Sequence, residues 1–140
     1  MLLTVEKVAL LRGSELFSDV PNHVLVSVAS IAEEAEFSEG ESFIHQDALE
    51  TDMFLITSGQ VRVHRDDNEL AILGAGEIVG EMEALSPAPR FASVSAIEPT
   101  HALRISKEAF DEILATRFEI VTAVFNVLVR RLRNVSMSNQ

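Results

Sequence analysis

The residues best suited to chemistry lie in one stretch, Gly76-Glu77-Ile78-Val79-Gly80-Glu81-Met82-Glu83-Ala84-Leu85-Ser86-Pro87-Ala88-Pro89-Arg90-Phe91-Ala92-Ser93-Val94-Ser95-Ala96. A strand pair breaks at Gly74 and Gly76. Gly80 then opens a short helical turn, and Pro87 and Pro89 end it before a fresh strand at Arg90. The spacing predicts a helix N-terminus, with a glycine at its mouth, set between two strands. Free N–H groups near Gly80 and Met82 would point outward and favour an anion. Arg90 can add a two-pronged hydrogen bond to a phosphate. Glu81, in the same turn, is an acceptor suited to a sugar hydroxyl, and small Ala92 and Ser93 allow close approach. A phosphate-donor set beside one hydroxyl acceptor fits a ribose phosphate in cyclic form. The same residues also fit a plain loop in which Glu81 and Arg90 form a structural ion pair, because short Gly/Glu/Arg patterns recur by chance.

The elements that must position this stretch follow from periodicity. Residues 1–34 read as helical: Val5, Val8, Ala9, Leu10 and Leu11 sit mostly three and four apart before Gly13. A second helix opens at Pro21 or Asn22 and carries Val24, Leu25, Val28, Ile31 and Ala32 on one face. From Ala35 the period changes to two. Phe37, Ser42-Phe43-Ile44 and Met53-Phe54-Leu55-Ile56 read as short strands. Val61 and Val63 alternate with Arg62 and His64, and Leu70 and Ile72 resume the apolar face beyond Asp66-Asp67-Asn68. Val94, Ala96, Ala102, Leu103 and Ile105 continue it. Short strands with turns every eight to twelve residues or so predict a β-sandwich or jelly roll.

Residues 107–135 return to helix. Ser106 is a good N-cap, and Phe110, Ile113 and Leu114 form a buried stripe. The last helix, about Phe118 to Arg133, is apolar on nearly all sides, with a seam of Val121, Phe125, Leu128 and Leu132. Such a helix must be covered by more than one surface. The β-roll is one cover, and a second subunit or a neighbouring effector domain is a candidate for the other. Arg130 and Arg131 are expected to complement the dipole of its C-terminus.

Composition sets the outer limits. The chain has 140 residues, enough for one domain that buries roughly 70% of its unfolded surface. A hydrophobic fraction of 47% is too high for disorder. Absence of cysteine excludes disulfides, zinc–thiolate sites and thiol chemistry, and fits the cytoplasm. Lys+Arg of 11 against Asp+Glu of 22 gives a net charge of −11, which disfavours binding along a nucleic acid or an anionic membrane surface. Glu6 and Lys7 interrupt the apolar start, so no signal peptide is expected, and no segment reaches the roughly 20 apolar residues of a membrane span. Gly40, His45 and Glu50 faintly echo a cupin-type metal motif, but His23, His64 and His101 have no ligand spacing, so no metal is expected. No serine stands in a nucleophile elbow, and no enzymatic activity is expected.

Taken together, the segment Gly80-Glu81 … Pro89-Arg90-Phe91-Ala92-Ser93-Val94 resembles the phosphate-binding cassette of the cyclic-nucleotide-binding domain family. That family includes the catabolite activator protein and the protein kinase A regulatory subunit. Leu16-Phe17, Gly40-Glu41, Phe43-Ile44-His45-Gln46, Phe54-Leu55-Ile56, Ser58-Gly59 and Gly74-Ala75-Gly76-Glu77 fall at the family's spacing. The resemblance implies an eight-stranded antiparallel jelly-roll β-barrel with N- and C-terminal helices. It implies a single domain over 1–140, divided into helices 1–34, a β-roll 35–106 holding a cassette 76–96, and helices 107–135. The ligand would be cAMP or cGMP, with no other cofactor. Glu81 would take the ribose 2′-hydroxyl and Arg90 the cyclic phosphate, with backbone N–H groups of Gly80, Met82 and Ala92 completing the cradle. Val63 and Leu70 would form an apolar wall beside the base, with Ser93 close by. Two positions depart from the family: Asp47 stands where glycine is usual, and Phe91 where Ala, Ser or Thr follows the arginine, which bears on base preference. The function implied is a regulatory module whose output passes through the 118–133 helix to a second subunit or an effector. No segment after Arg133 could form a helix-turn-helix, so DNA binding by this chain is not expected. A ligand-free assembly domain is the alternative.

Overall fold

The computed structural model describes residues 1–138. Two helices, α1 (Thr4–Arg12) and α2 (Asn22–Ile31), precede the strands. Pro21 caps α2, its carbonyl accepting from the N–H groups of Val24 and Leu25 at 3.0 Å each. Then come β1 (Glu33–Phe37), β2 (Ser42–Ile44), β3 (Met53–Ser58), β4 (Gln60–Arg65), β5 (Asn68–Gly74) and β6 (Ile78–Val79). The short α3 (Glu81–Leu85) interrupts the strands before β7 (Ser93–Ala96) and β8 (Thr100–Ile105). Two helices, α4 (Lys107–Thr116) and α5 (Phe118–Ser138), close the described chain. Ser106 caps α4 as expected, its hydroxyl accepting from Ala109 N–H at 3.3 Å.

The eight strands form two four-stranded antiparallel sheets, in the orders β1-β8-β3-β6 and β2-β7-β4-β5. This is the expected jelly roll. Successive side chains on a strand face opposite ways, and β3 shows why its run is continuously apolar. Phe54 and Ile56 point into the roll with Ile44, Val61, Val79, Val94 and Ala102. Met53 and Leu55 point out, with Leu103 and Ile105 of β8, into a second core built with the helices. That core holds Phe17, Leu25, Phe110, Ile120 and Val127, and also Ala84 of α3.

Three expectations need correction. The β-roll begins at Glu33, two residues early, because Glu33 and Glu34 pair with Arg104 and Leu103 on an edge strand where glutamate stays solvated. Leu70 and Ile72 face outward and are exposed. Val61 and Val63 stand opposite Leu73 and Ala71, so the inward face of β5 carries the odd-numbered residues. The strand at the end of the cassette begins at Ser93 and not at Arg90, whose backbone is bonded to the 45–48 loop instead.

The last helix divides into two faces. Ile120, Ala123, Val124 and Val127 are buried against the helical core. The seam seen in the sequence lies on the other side: Val121, Phe125, Leu128 and Leu132 are exposed, joined by Phe118 and Val135 at the same spacings. Arg130 and Arg131 do not cap the helix. They reach sideways, Arg130 to Asp19 at 2.9 Å and Arg131 to Glu15 at 2.6 Å.

Candidate functional site

The site is built around Gly80, which caps α3 with φ +83°. A Cβ there would sit 2.8 Å from Arg90 Nη1 and from the Asp52 carbonyl oxygen, so glycine is demanded by both conformation and space. Its carbonyl accepts from Arg90 Nη1 at 3.0 Å.

Arg90 lies at the centre of the site with its side chain 1% exposed. Nη1 also meets Glu83 Oε1 at 3.0 Å, and Nη2 donates to the Asp52 carbonyl. Nε is buried without a hydrogen-bond partner, and its nearest acid is Glu50 Oε1 at 3.6 Å. A buried donor without an acceptor costs about 1–3 kcal/mol. The guanidinium is therefore held in place with one donor uncommitted. Glu50 is itself fixed, accepting from His45 N–H at 3.0 Å and meeting His45 Nδ1 at 2.8 Å. Burial pushes its pKa up, but the His45 backbone and ring and the Arg90 charge outweigh burial and hold it below its ordinary 4.5.

The segment leading into β7 is clamped at Arg90 by the 45–48 loop. Asp47 N–H donates to Arg90 O at 2.7 Å, and Arg90 N–H to Ala48 O at 2.9 Å. Asp47 adopts φ +67°, which explains why an aspartate can replace glycine here. Arg65 then closes the clamp, bonding Asp47 at 2.9 Å and Phe91 O at 2.8 Å.

Glu81 is tied elsewhere. Its Oε1 accepts from Arg131 Nη1 of α5 at 3.0 Å, so the Glu81–Arg90 ion pair offered by the sequence does not form. Arg131 sits between Glu81 and Glu15; burial lowers its pKa, but the two carboxylates raise it on balance. Lys107, at the start of α4, donates to Ala84 O of α3 at 2.9 Å. The cassette helix is thus attached to both C-terminal helices.

A cavity of about 200 Å³ opens between this helix and the roll. Six residues that the sequence analysis singled out, Gly80, Glu81, Met82, Phe91, Ala92 and Val63, are brought together in its lining. Arg90 stands behind its wall, bonded to Gly80 and Glu83. Two further candidates, besides Arg90, do not line it. Ser93 is buried and accepts Gln46 N–H at 2.9 Å, and Leu70 is replaced by Leu73, one of the odd-numbered inward residues of β5. Phe91 is 70% exposed, so its ring stands at the rim and leaves the interior open. Glu83, Glu50 and the partner role of Arg131 were not foreseen. Glu83 and Arg90 are seven residues apart, but the helix ends at Leu85 and Pro87 and Pro89 follow, so no helical period signals their contact.

Elsewhere, a cavity of about 510 Å³ lies between α1 and the sheet edge, lined by Leu2, Leu10, Glu34, Ser58 and His101 among others. Its acids are engaged, Glu34 by Leu2 N–H and Glu6 by Leu3 N–H. Among the described residues no group of three or more His, Asp or Glu could hold a metal ion, and no helix is long and apolar enough to cross a membrane.

Residues 34–117 match the family model described as Cyclic nucleotide-binding domain, and the chain belongs to that family. It is similar to the Cyclic AMP receptor protein of Thermus thermophilus, 28% identical over 132 residues, covering 91% of this chain and 61% of that protein. It is also 34% identical over 106 residues to the Pycsar effector protein PaPycTIR of Pseudomonas aeruginosa, covering 75% of this chain and 34% of that one. Among solved structures, the N-terminal domain of a transcriptional regulator from Streptomyces coelicolor A3(2) superposes with a TM-score of 0.82. The two are 25% identical, over 95% of this chain and 94% of that one. The regulatory domain of Toxoplasma gondii PKA, crystallised with cAMP, shares the fold at a TM-score of 0.73 and 22% identity, over 79% and 44%. The chain spans about three fifths of the length of the first curated relatives it matches.

Proposed function

We propose that this chain is a non-enzymatic regulatory module, one domain over 1–140, that binds cAMP or cGMP in the cavity beside α3. The observation that carries the reading is the buried Arg90, with an unpartnered Nε, next to a cavity lined by Gly80, Glu81 and Ala92. The cyclic phosphate takes Arg90 and the N–H groups of Gly80, Met82 and Ala92; the ribose 2′-hydroxyl takes Glu81. Val63 and Leu73 form the apolar wall, and Phe91 lies over the rim.

Coupling runs through Glu81. A ribose hydroxyl at Glu81 changes the balance of its bond to Arg131, and α5 carries that change away from the roll. Regulation of this kind needs a coupling free energy, typically about 1–3 kcal/mol. The output reaches a second copy or an effector through the exposed face of α5, whose residues Phe118, Val121, Phe125, Leu128, Leu132 and Val135 alternate at spacings of three and four. The setting is the cytoplasm, and no DNA is bound by this chain itself.

The test is a thermal melt with cAMP and with cGMP. Ligand at about 100 times its dissociation constant stabilises by about 2.7 kcal/mol, a rise of roughly 5–10 °C at this size. A rise with either nucleotide supports the reading. No rise, together with a stable dimer in solution, favours a ligand-free assembly domain, for which Glu83 already occupies Arg90.

A further inference from the structure

Resting on the nucleotide reading, we infer that Glu83 is an internal competitor for the anion seat of Arg90, which a cyclic phosphodiester must displace in order to bind. The contact is direct: Glu83 Oε1 lies 3.0 Å from Arg90 Nη1, with side chains 13% and 1% exposed. Both partners of Nη1, Glu83 and the Gly80 carbonyl, belong to residues that line the cavity. Nη2 is turned the other way, onto the Asp52 carbonyl. An anion entering from the cavity therefore meets a guanidinium already neutralised by a carboxylate.

Charge arithmetic decides what can enter. Two carboxylates flank Arg90, Glu83 at 3.0 Å and Glu50 at 3.6 Å. A cyclic phosphodiester carries one negative charge, so its exchange for Glu83 leaves the local charge unchanged. A monophosphate ester carries close to two near neutral pH and so adds a charge to a site that already holds Glu50, 3.6 Å from Arg90 Nε. Glu83 stands in the first turn of a five-residue helix and lines the cavity, so a change of its side-chain rotamer is enough to clear the seat. Its departure is part of the binding step and lowers the apparent affinity by the free energy of the pair it breaks.

Calorimetric titration of the folded chain with cAMP, cGMP and AMP tests this in the wild type, Glu83→Gln and Glu83→Ala. The Gln variant keeps size and hydrogen bonding, so the test survives if the Ala variant folds poorly. Both variants are expected to bind the preferred cyclic nucleotide at least about tenfold tighter, to melt lower without ligand, and to keep the preference for the cyclic form over AMP, because Glu50 remains. A merely structural Glu83 would lower melting temperature and affinity together. Binding by the wild type with equal or weaker binding by both variants overturns the competitor while leaving the nucleotide reading intact. Binding by the variants alone supports it. Absence of binding in all three proteins overturns the nucleotide reading and this inference with it.

Discussion

The two ends of the cassette are held by opposite means. At the Arg90 end the backbone of the roll and its loops supplies most of the contacts, from Gly80, Asp52, Ala48 and Asp47, and Glu83 adds a carboxylate at 3.0 Å. At the Glu81 end the partner is Arg131, a residue fifty positions later on a helix whose outer face is exposed. A buried arginine surrounded by backbone carbonyls is a fixed anchor. A part-buried carboxylate shared with a peripheral helix is a contact that a ligand can renegotiate. The difference teaches that one short segment can be fixed by backbone contacts at one end and tied to a peripheral helix at the other.

Removing the anchor has the largest effect. Arg90→Ala abolishes the melting shift with cyclic nucleotide. It also lowers the unliganded stability by about 3 kcal/mol, because Glu83 loses its counter-charge in a mostly buried place. Differential scanning calorimetry reads both. Next comes Gly80→Ala, which forces a side chain into φ +83° and onto Arg90 and Asp52; about 1–3 kcal/mol is lost, measurable by urea unfolding.

Cutting the reporting end is milder. Arg131→Ala costs under about 1 kcal/mol, since its ion pairs are partly solvated. Its signature is local: amides in the second half of α5 exchange faster with deuterium while those of the roll do not change. A global effect of Arg131→Ala would erase the contrast between the two ends.

The smallest effect is a pH dependence. Glu50 has a folded pKa below its ordinary 4.5, so its charged form stabilises the fold above that value. The stability it adds is lost as pH falls through the lowered folded pKa. The melting-temperature gap between wild type and Glu50→Gln is therefore present at neutral pH and closes in acid.

Much of this was legible in the residues. Two changes of period, at Ala35 and after Ile105, mark the passage from helix to roll and back, because side-chain burial alternates every second residue in one and every third or fourth in the other. The glycine at a helix mouth and the arginine after two prolines pointed to the segment beside the cavity of about 200 Å³. What the sequence did not carry was direction. The inward face of β5 shifts from Leu70 to Leu73 because the pairing with β4 fixes it, and a hydrophobic run of Leu70-Ala71-Ile72-Leu73 reads equally well in either register. Nor could spacing say that Glu83 and not Glu81 would meet Arg90. Both acids lie in one helical turn, and the choice depends on where α5 delivers Arg131.

The most direct test of the account reads Arg90 itself. Its Nε–H, a buried donor without a partner, gives a side-chain signal in a proton–nitrogen correlation spectrum that Arg90→Lys removes and so identifies. The account predicts that saturating cAMP or cGMP moves this signal strongly, as a phosphate oxygen arrives at hydrogen-bonding distance. A nucleotide that shifts backbone signals elsewhere but leaves Arg90 Nε–H where it was would contradict it.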